Sequence, residues 1–248
     1  MKIDNLVVKK SVTREEMGKV ACADIVNAIS KVLKEKGEVN MIFAAAPSQN
    51  DVLKELIASN VDWTKVNAFH MDEYLGLDKT APQRFGNFLC EHIFNHLPFK
   101  SVNLIDSSNP SAKAECERYT DLLKKNPVDI VVLGIGENGH IAFNDPGVAD
   151  FNDKALIKEA ILDEVCRQQQ VNDKCFKKID DVPKTALTLT VPALCNAEYM
   201  FCVVPAKTKA WAVKETLYGT IDEHCPATIL RKHQNATLYL DSDSASMI

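Results

Sequence analysis

The sequence predicts an α/β fold, a single domain with a mainly parallel sheet flanked by helices. Three observations predict it. Short β-branched, apolar runs alternate with longer amphipathic stretches along the chain, the pattern of strands joined by helical crossovers. The run at 128–134 (VDIVVLG) is almost continuously apolar, as expected of a strand covered on both faces. No repeat and no Pro/Gly/Ser-rich linker divides the 248 residues, a length that suits one large domain.

The first helix is expected over residues 13–36. Thr13 followed by Glu16 is a capping-box pattern. Val20, Ala23, Ile25, Ala28, Ile29, Val32 and Leu33 give the helix an apolar face, and Gly37 supplies its stop. A buried strand follows at 39–44, then an Ala-Ala-Pro-Ser turn in which Ser48 is expected to cap a helix over 49–59. Further strands are expected at 66–71, 102–105, 128–134, 187–191, 199–204 and 236–240. Helices are expected at 83–96, 110–125 (with Pro110 near its first turn), 207–217 and 226–231. Ligands of such folds sit beyond the carboxyl ends of the strands, which directs attention to 44–48, 71–77 and 134–146. Residues 144–180 are the least regular and most charged stretch, a candidate lid within the single domain 1–248.

Composition excludes several classes of partner. Lys and Arg total 29 against 34 Asp and Glu, a formal charge of −5, a poor footprint for nucleic acid. No apolar run approaches the ~20 residues of a membrane helix. The N-terminal stretch has no signal-peptide pattern, so a cytoplasmic protein with reduced thiols is expected. The eight cysteines contain no C-x-x-C pair, which removes zinc-ribbon and redox-motif readings.

Three segments can carry chemistry. GIGENGHIAFNDP (134–146) places three glycines after a buried strand, then His140, Asn144 and Asp145. Glycine permits close ligand approach. An imidazole with a nearby carboxylate shuttles protons near neutral pH. The glycines fit G-x-G-x-x-G, but no helix follows and no acidic residue ends a next strand, so a dinucleotide site fails. A tight turn with a solvent-facing histidine is the plain alternative. In HMDEYLGL (70–77), Asp72 and Glu73 follow a strand. Adjacent strand residues face opposite ways, so only one can enter a shared site, where a desolvated carboxylate is a base for a carbon-bound proton. A solvated acidic turn is the alternative. In PAKTKA (205–210), lysines at a helix start make sense beside a bound anion. Surface lysine is again the alternative.

HMDEYLGL, LGIGENGHIAFNDP, TALTLTVPAL and the KTKA segment, in this order from about residue 10 to residue 243, resemble the glucosamine-6-phosphate deaminase/isomerase family. The related 6-phosphogluconolactonases typically carry G-H-T-A-S-L-F-P at the histidine; G-H-I-A-F-N-D-P here favours the amino-sugar branch. The resemblance implies a Rossmann-like domain, no metal or organic cofactor, and a small sugar phosphate as partner. It leaves oligomeric state open, a homo-oligomer included. It implies aldose–ketose isomerisation with deamination, glucosamine 6-phosphate giving fructose 6-phosphate and ammonia. By the same resemblance Asp72 is the base and His140 opens the sugar ring, with Asn138 beside it and Asp145 standing where a glutamate orients the histidine. Ser48, Gln49, Glu73, Gly136, Gly139, Arg167, Lys174 and Lys209 complete the candidate substrate and phosphate set.

Three features depart from the family pattern. Ala44-Ala45-Ala46-Pro47 replaces a Gly/Ser/Thr-rich phosphate loop, the glutamate is shortened to Asp145, and Lys174 stands roughly where an arginine is usual. The competing expectations are another sugar-phosphate isomerase or amino-sugar substrate, a lactonase, and a non-catalytic sugar-phosphate sensor.

Overall fold

The computed structural model describes residues 1–248. It opens with two strands that the sequence patterning did not predict, β1 (Lys2–Ile3) and β2 (Leu6–Lys10). Only Leu6 and Val8 of β2 are buried, too few for a visible alternation. Helix α1 (Arg14–Lys36) starts and stops where its caps place it. Thr13 Oγ1 accepts from the Glu16 amide at 3.1 Å, and Gly37 takes a left-handed φ of 79° while its N–H bonds Leu33 O.

The chain continues through β3 (Val39–Phe43), α2 (Asn50–Ile57), β4 (Val66–His70), β5 (Asp72–Tyr74), α3 (Phe85–Leu89), β6 (Ser101–Asn103), α4 (Ala112–Lys125) and β7 (Ile130–Leu133). It then runs through β8 (Ile157–Ile161), α5 (Glu164–Asn172), β9 (Thr185–Leu189), α6 (Val191–Cys195), β10 (Tyr199–Val204), α7 (Ala210–Tyr218) and β11 (Ala236–Leu240). Several ends differ from expectation. Ser48 does not cap α2; the helix is entered through a 3₁₀ turn at Pro47–Gln49, and the Ser48 hydroxyl instead accepts from the Gln49 side chain. The expected 83–96 helix is α3 continued by a π-helical turn, Cys90–Phe94. The 226–231 segment is 3₁₀. The stretch 144–180 is more regular than expected, since it contains β8 and α5.

The main sheet has eight strands in the order β1-β2-β11-β10-β7-β3-β4-β6, parallel throughout except for β1 against β2. Period-two alternation divides each central strand between two cores. Met41 and Phe43 join α1 and α2 on one face, while Ile42 packs with Val131 and Leu133 on the other. A second, antiparallel sheet, β5-β9-β8, stands apart. The TALTLT strand therefore belongs not to the parallel sheet but to this smaller one. No helix is long and apolar enough to cross a membrane.

Candidate active site

In the main sheet the chain leaves β3 towards β4 and β6, and leaves β7 towards β10 and β11. The crevice between the outgoing loops is the expected ligand position of such a sheet. A cavity lies there, lined by the 44–49 loop, Met71 and Asp72 after β4, Gly134–Gly136 and His140 after β7, and Lys209 after β10. Gln169, Gln170 and Asp173, from α5 and its C-terminal end, close one side.

Asp72 and Glu73 face opposite ways, as strand alternation requires. Asp72 lines the cavity and no side-chain or backbone donor reaches its carboxyl. Burial first, and the neighbouring Glu73 second, push its pKa well above the carboxylate range. Glu73 is fully buried on the other side, where it accepts from the amides of Tyr74, Phe85 and Gly86 at 2.9–3.0 Å. It anchors the start of α3 and is not a cavity group, which corrects its place in the substrate set.

His140 is held behind by a polar chain. Its Nδ1 lies 2.9 Å from Asp145 Oδ1, although the approach is bent out of in-line hydrogen-bond geometry. Asn138 Nδ2 donates to Asp145 Oδ1 at 3.1 Å and to Asp163 Oδ2 at 3.3 Å, while Asn138 Oδ1 accepts from the His140 amide. Burial raises the Asp145 pKa, but the histidine and Asn138 outweigh it and hold the carboxyl below its usual value. Gly136 is required beneath the ring: a Cβ there would sit 2.1–2.4 Å from three imidazole atoms. Strand β9 ties the two catalytic candidates together. Thr188 pairs with Asp72 in the sheet register, and its hydroxyl accepts from the Phe143 amide in the His140 turn; Asn144 Nδ2 donates to Leu189 O.

The cavity also has a cationic lining group. Lys209 is buried and its ammonium makes no hydrogen bond or ion pair within the protein. Burial lowers its pKa, opposed by the charges of Asp173 and Glu137. The turn that presents it starts at Ala206, whose φ of 82° is stabilised by its amide donating to Asp241. Ser48, Gln49 and Arg14 share this wall. Arg14, which sequence reasoning missed, bonds Asp51 Oδ2 at 2.6 Å and Pro47 O at 3.0 Å, bracing the alanine loop. No residue of 44–49 has a positive φ, so this loop follows a path open to alanine and does not need glycine.

Three other candidates sit elsewhere. Arg167 spends its guanidinium on the carbonyls of Ile179 and Val182. Gly139, at φ 83°, packs against Cys225, where a Cβ would meet Sγ at 2.4 Å. Lys174 is exposed and lines an adjacent hollow with Pro82, Gln83 and Phe88, outside the main cavity. Missed alongside Arg14 were Gln169, Gln170 and Asp173. They lie in the candidate lid, but only the packing of α5 shows which of its residues turn inward.

The fold and the site define a Rossmann-like α/β protein with a buried carboxyl, an imidazole and an unpaired lysine lining one cavity. The chain belongs to the family of glucosamine-6-phosphate isomerases and 6-phosphogluconolactonases, whose pattern matches residues 12–239. It is 34% identical over 243 residues to a glucosamine-6-phosphate deaminase of Lactobacillus delbrueckii subsp. bulgaricus, covering 98% of both chains. It is 36% identical over 243 residues to that of Bacillus cereus (strain G9842), covering 98% of this chain and 88% of the other. Among solved structures, a monomeric glucosamine-6-phosphate deaminase superposes with a TM-score of 0.88 at 29% identity, covering 98% of this chain and 100% of the other. A 6-phosphogluconolactonase from Thermotoga maritima shares the fold, with a TM-score of 0.78 at 20% identity over 95% of this chain and 99% of the other.

Proposed function

We propose that this protein is a glucosamine-6-phosphate deaminase, converting glucosamine 6-phosphate and water to fructose 6-phosphate and ammonia. The observation that carries the reading is the placement of Asp72, His140 and Lys209 on one cavity. Lys209 and the Ser48 hydroxyl hold the phosphate, while Gln49, whose amide is spent on Ser48 and the Val203 carbonyl, braces that loop. Binding energy from that remote group fixes the reacting carbons. The imidazole of His140, backed by Asp145, takes the proton of the anomeric hydroxyl and returns one to the ring oxygen, opening the pyranose. Asp72, made basic by burial, removes the proton on C2 and delivers it to C1. The resulting ketimine at C2 adds water and expels ammonia. Within the 144–180 stretch, α5 and its C-terminal end close over the bound sugar as a lid.

Asp72 weighs against the lactonase reading, since ester hydrolysis has no use for a carbon-proton base. The direct test is a coupled ammonia assay of the purified protein with a panel of hexose 6-phosphates and 6-phosphogluconolactone. The expected result is ammonia and fructose 6-phosphate in equal amounts from the glucosamine sugar. Release from galactosamine 6-phosphate alone would keep the mechanism and reassign the substrate. Turnover of the lactone alone, or silence throughout, would overturn the proposal.

A further inference from the structure

Behind the imidazole of His140 lies a group of potential ligands that the deamination chemistry does not use in full. His140, Asp145 and Cys166 are all buried, and one donor atom from each lies within 4.8 Å of the others. Two polar atoms of this cluster, His140 Nδ1 and Asp145 Oδ2, are buried without a well-aligned hydrogen bond: Nδ1 meets Asp145 Oδ1 at 2.9 Å only at a bent angle, and the Cys166 thiol lies against the same carboxylate. Orphaned buried atoms are costly and call for an explanation. Cys166 sits in the first turn of α5, where Asp163 Oδ1 already accepts from its amide at 2.6 Å. We propose that His140, Asp145 and Cys166 form an inhibitory site for a soft divalent cation of the zinc type.

The donor set selects the ion. One imidazole nitrogen, one thiolate and one carboxylate oxygen suit zinc and its neighbours, whereas magnesium and calcium demand oxygen cages. A tetrahedral zinc ion with bonds of about 2.0–2.3 Å holds its ligand atoms roughly 3.5 Å apart. The three donor atoms already lie within 4.8 Å of one another, so the gap to that spacing is on the order of 1 Å. On binding, the Cys166 thiol releases its proton to solvent, His140 donates the Nδ1 lone pair and keeps its proton on Nε2, and Asp145 donates as carboxylate. Two anionic ligands neutralise the two charges of the ion, so no net charge is buried. The fourth position is left to a water. Polar contacts that clasp α5 to the glycine loop are Gln169 Oε1 accepting from the Glu137 amide at 2.9 Å and Asn138 Nδ2 donating to Asp163 at 3.3 Å.

The inhibitory consequence rests on the proposed role of His140; the binding itself does not. A cation on Nδ1 displaces Asp145 from the ring and lowers the basicity of Nε2, so ring opening fails. Asp72 is not a ligand, so proton exchange at C2 of an open-chain substrate survives. The test titrates the intact protein with cobalt(II), then displaces it with zinc. The expected signal is one equivalent bound, with a thiolate-to-cobalt charge-transfer band. Cys166→Ala should lose the band, and both it and Asp145→Asn should weaken zinc binding by at least about tenfold, each checked for native circular dichroism. Absence of a one-equivalent site, or a band retained in Cys166→Ala, overturns the proposal. Should the protein prove inactive on every sugar phosphate, the cobalt band still reads the site independently. If cobalt binds as expected but zinc leaves turnover untouched, the inhibitory part is wrong.

Discussion

Asp72 carries the sharpest consequences at the scale of single residues. Its pKa is raised on folding, so ionising it costs native stability. That cost is absent below its unfolded pKa and grows with pH until the folded pKa is passed. Asp72→Asn should therefore stabilise the protein by roughly 0.5–2 kcal/mol at neutral pH. The gain should vanish in acid, while deamination is abolished. Urea melts of both proteins across pH, read beside the ammonia assay, check this; a gain over the wild type no larger at pH 8 than at pH 4 would contradict the burial argument. Gly136→Ala tests the support beneath the histidine. Its Cβ would fall within 2.1–2.4 Å of the ring, so the imidazole must leave its place and turnover should drop by about a hundredfold or more. A near-normal rate would mean that ring position is not critical. Both residues were legible in the sequence because glycine and a post-strand carboxylate are chemical signals. Glu73 and Arg167 misled because residue type does not reveal that a charge is already spent on backbone amides or carbonyls.

At the scale of elements, end signals were the most readable feature. Thr13, Glu16 and Gly37 bracket α1 as their chemistry dictates. Thr13→Ala should cost about 1 kcal/mol of stability and leave the KM of any substrate unchanged, which denaturation and steady-state kinetics together would show. A larger loss would mean that the cap also braces Arg14 and the alanine loop. What stayed hidden was β5, β8 and their sheet. β5 is only three residues long, and β8 (IKEAI) carries two charges. They are strands because β9 lies between them, a tertiary cause that leaves no local pattern. That hidden sheet brings Asp72 and the His140 turn to common supports, so the least legible element is the one that assembles the candidate catalytic pair.

For the whole molecule, the parallel sheet followed from apolar runs alternating with amphipathic ones, but its strand order did not. Only that order puts the loops after β3, β7 and β10 around one cavity. Gln169, Gln170 and Asp173, from α5 and its C-terminal end, line this cavity, and exposed Lys174, Lys177 and Lys178 follow directly on α5. On the proposal that this segment closes over the sugar as a flap, it is also where a protease can grip the native chain. Trypsin should nick the free protein first within 174–178, and saturating fructose 6-phosphate should slow that cleavage severalfold. Unchanged cutting with product bound would show that the flap does not respond to the cavity. Fragment masses from such a digest would thus report occupancy of the site in any preparation, without chemistry having to turn over at all.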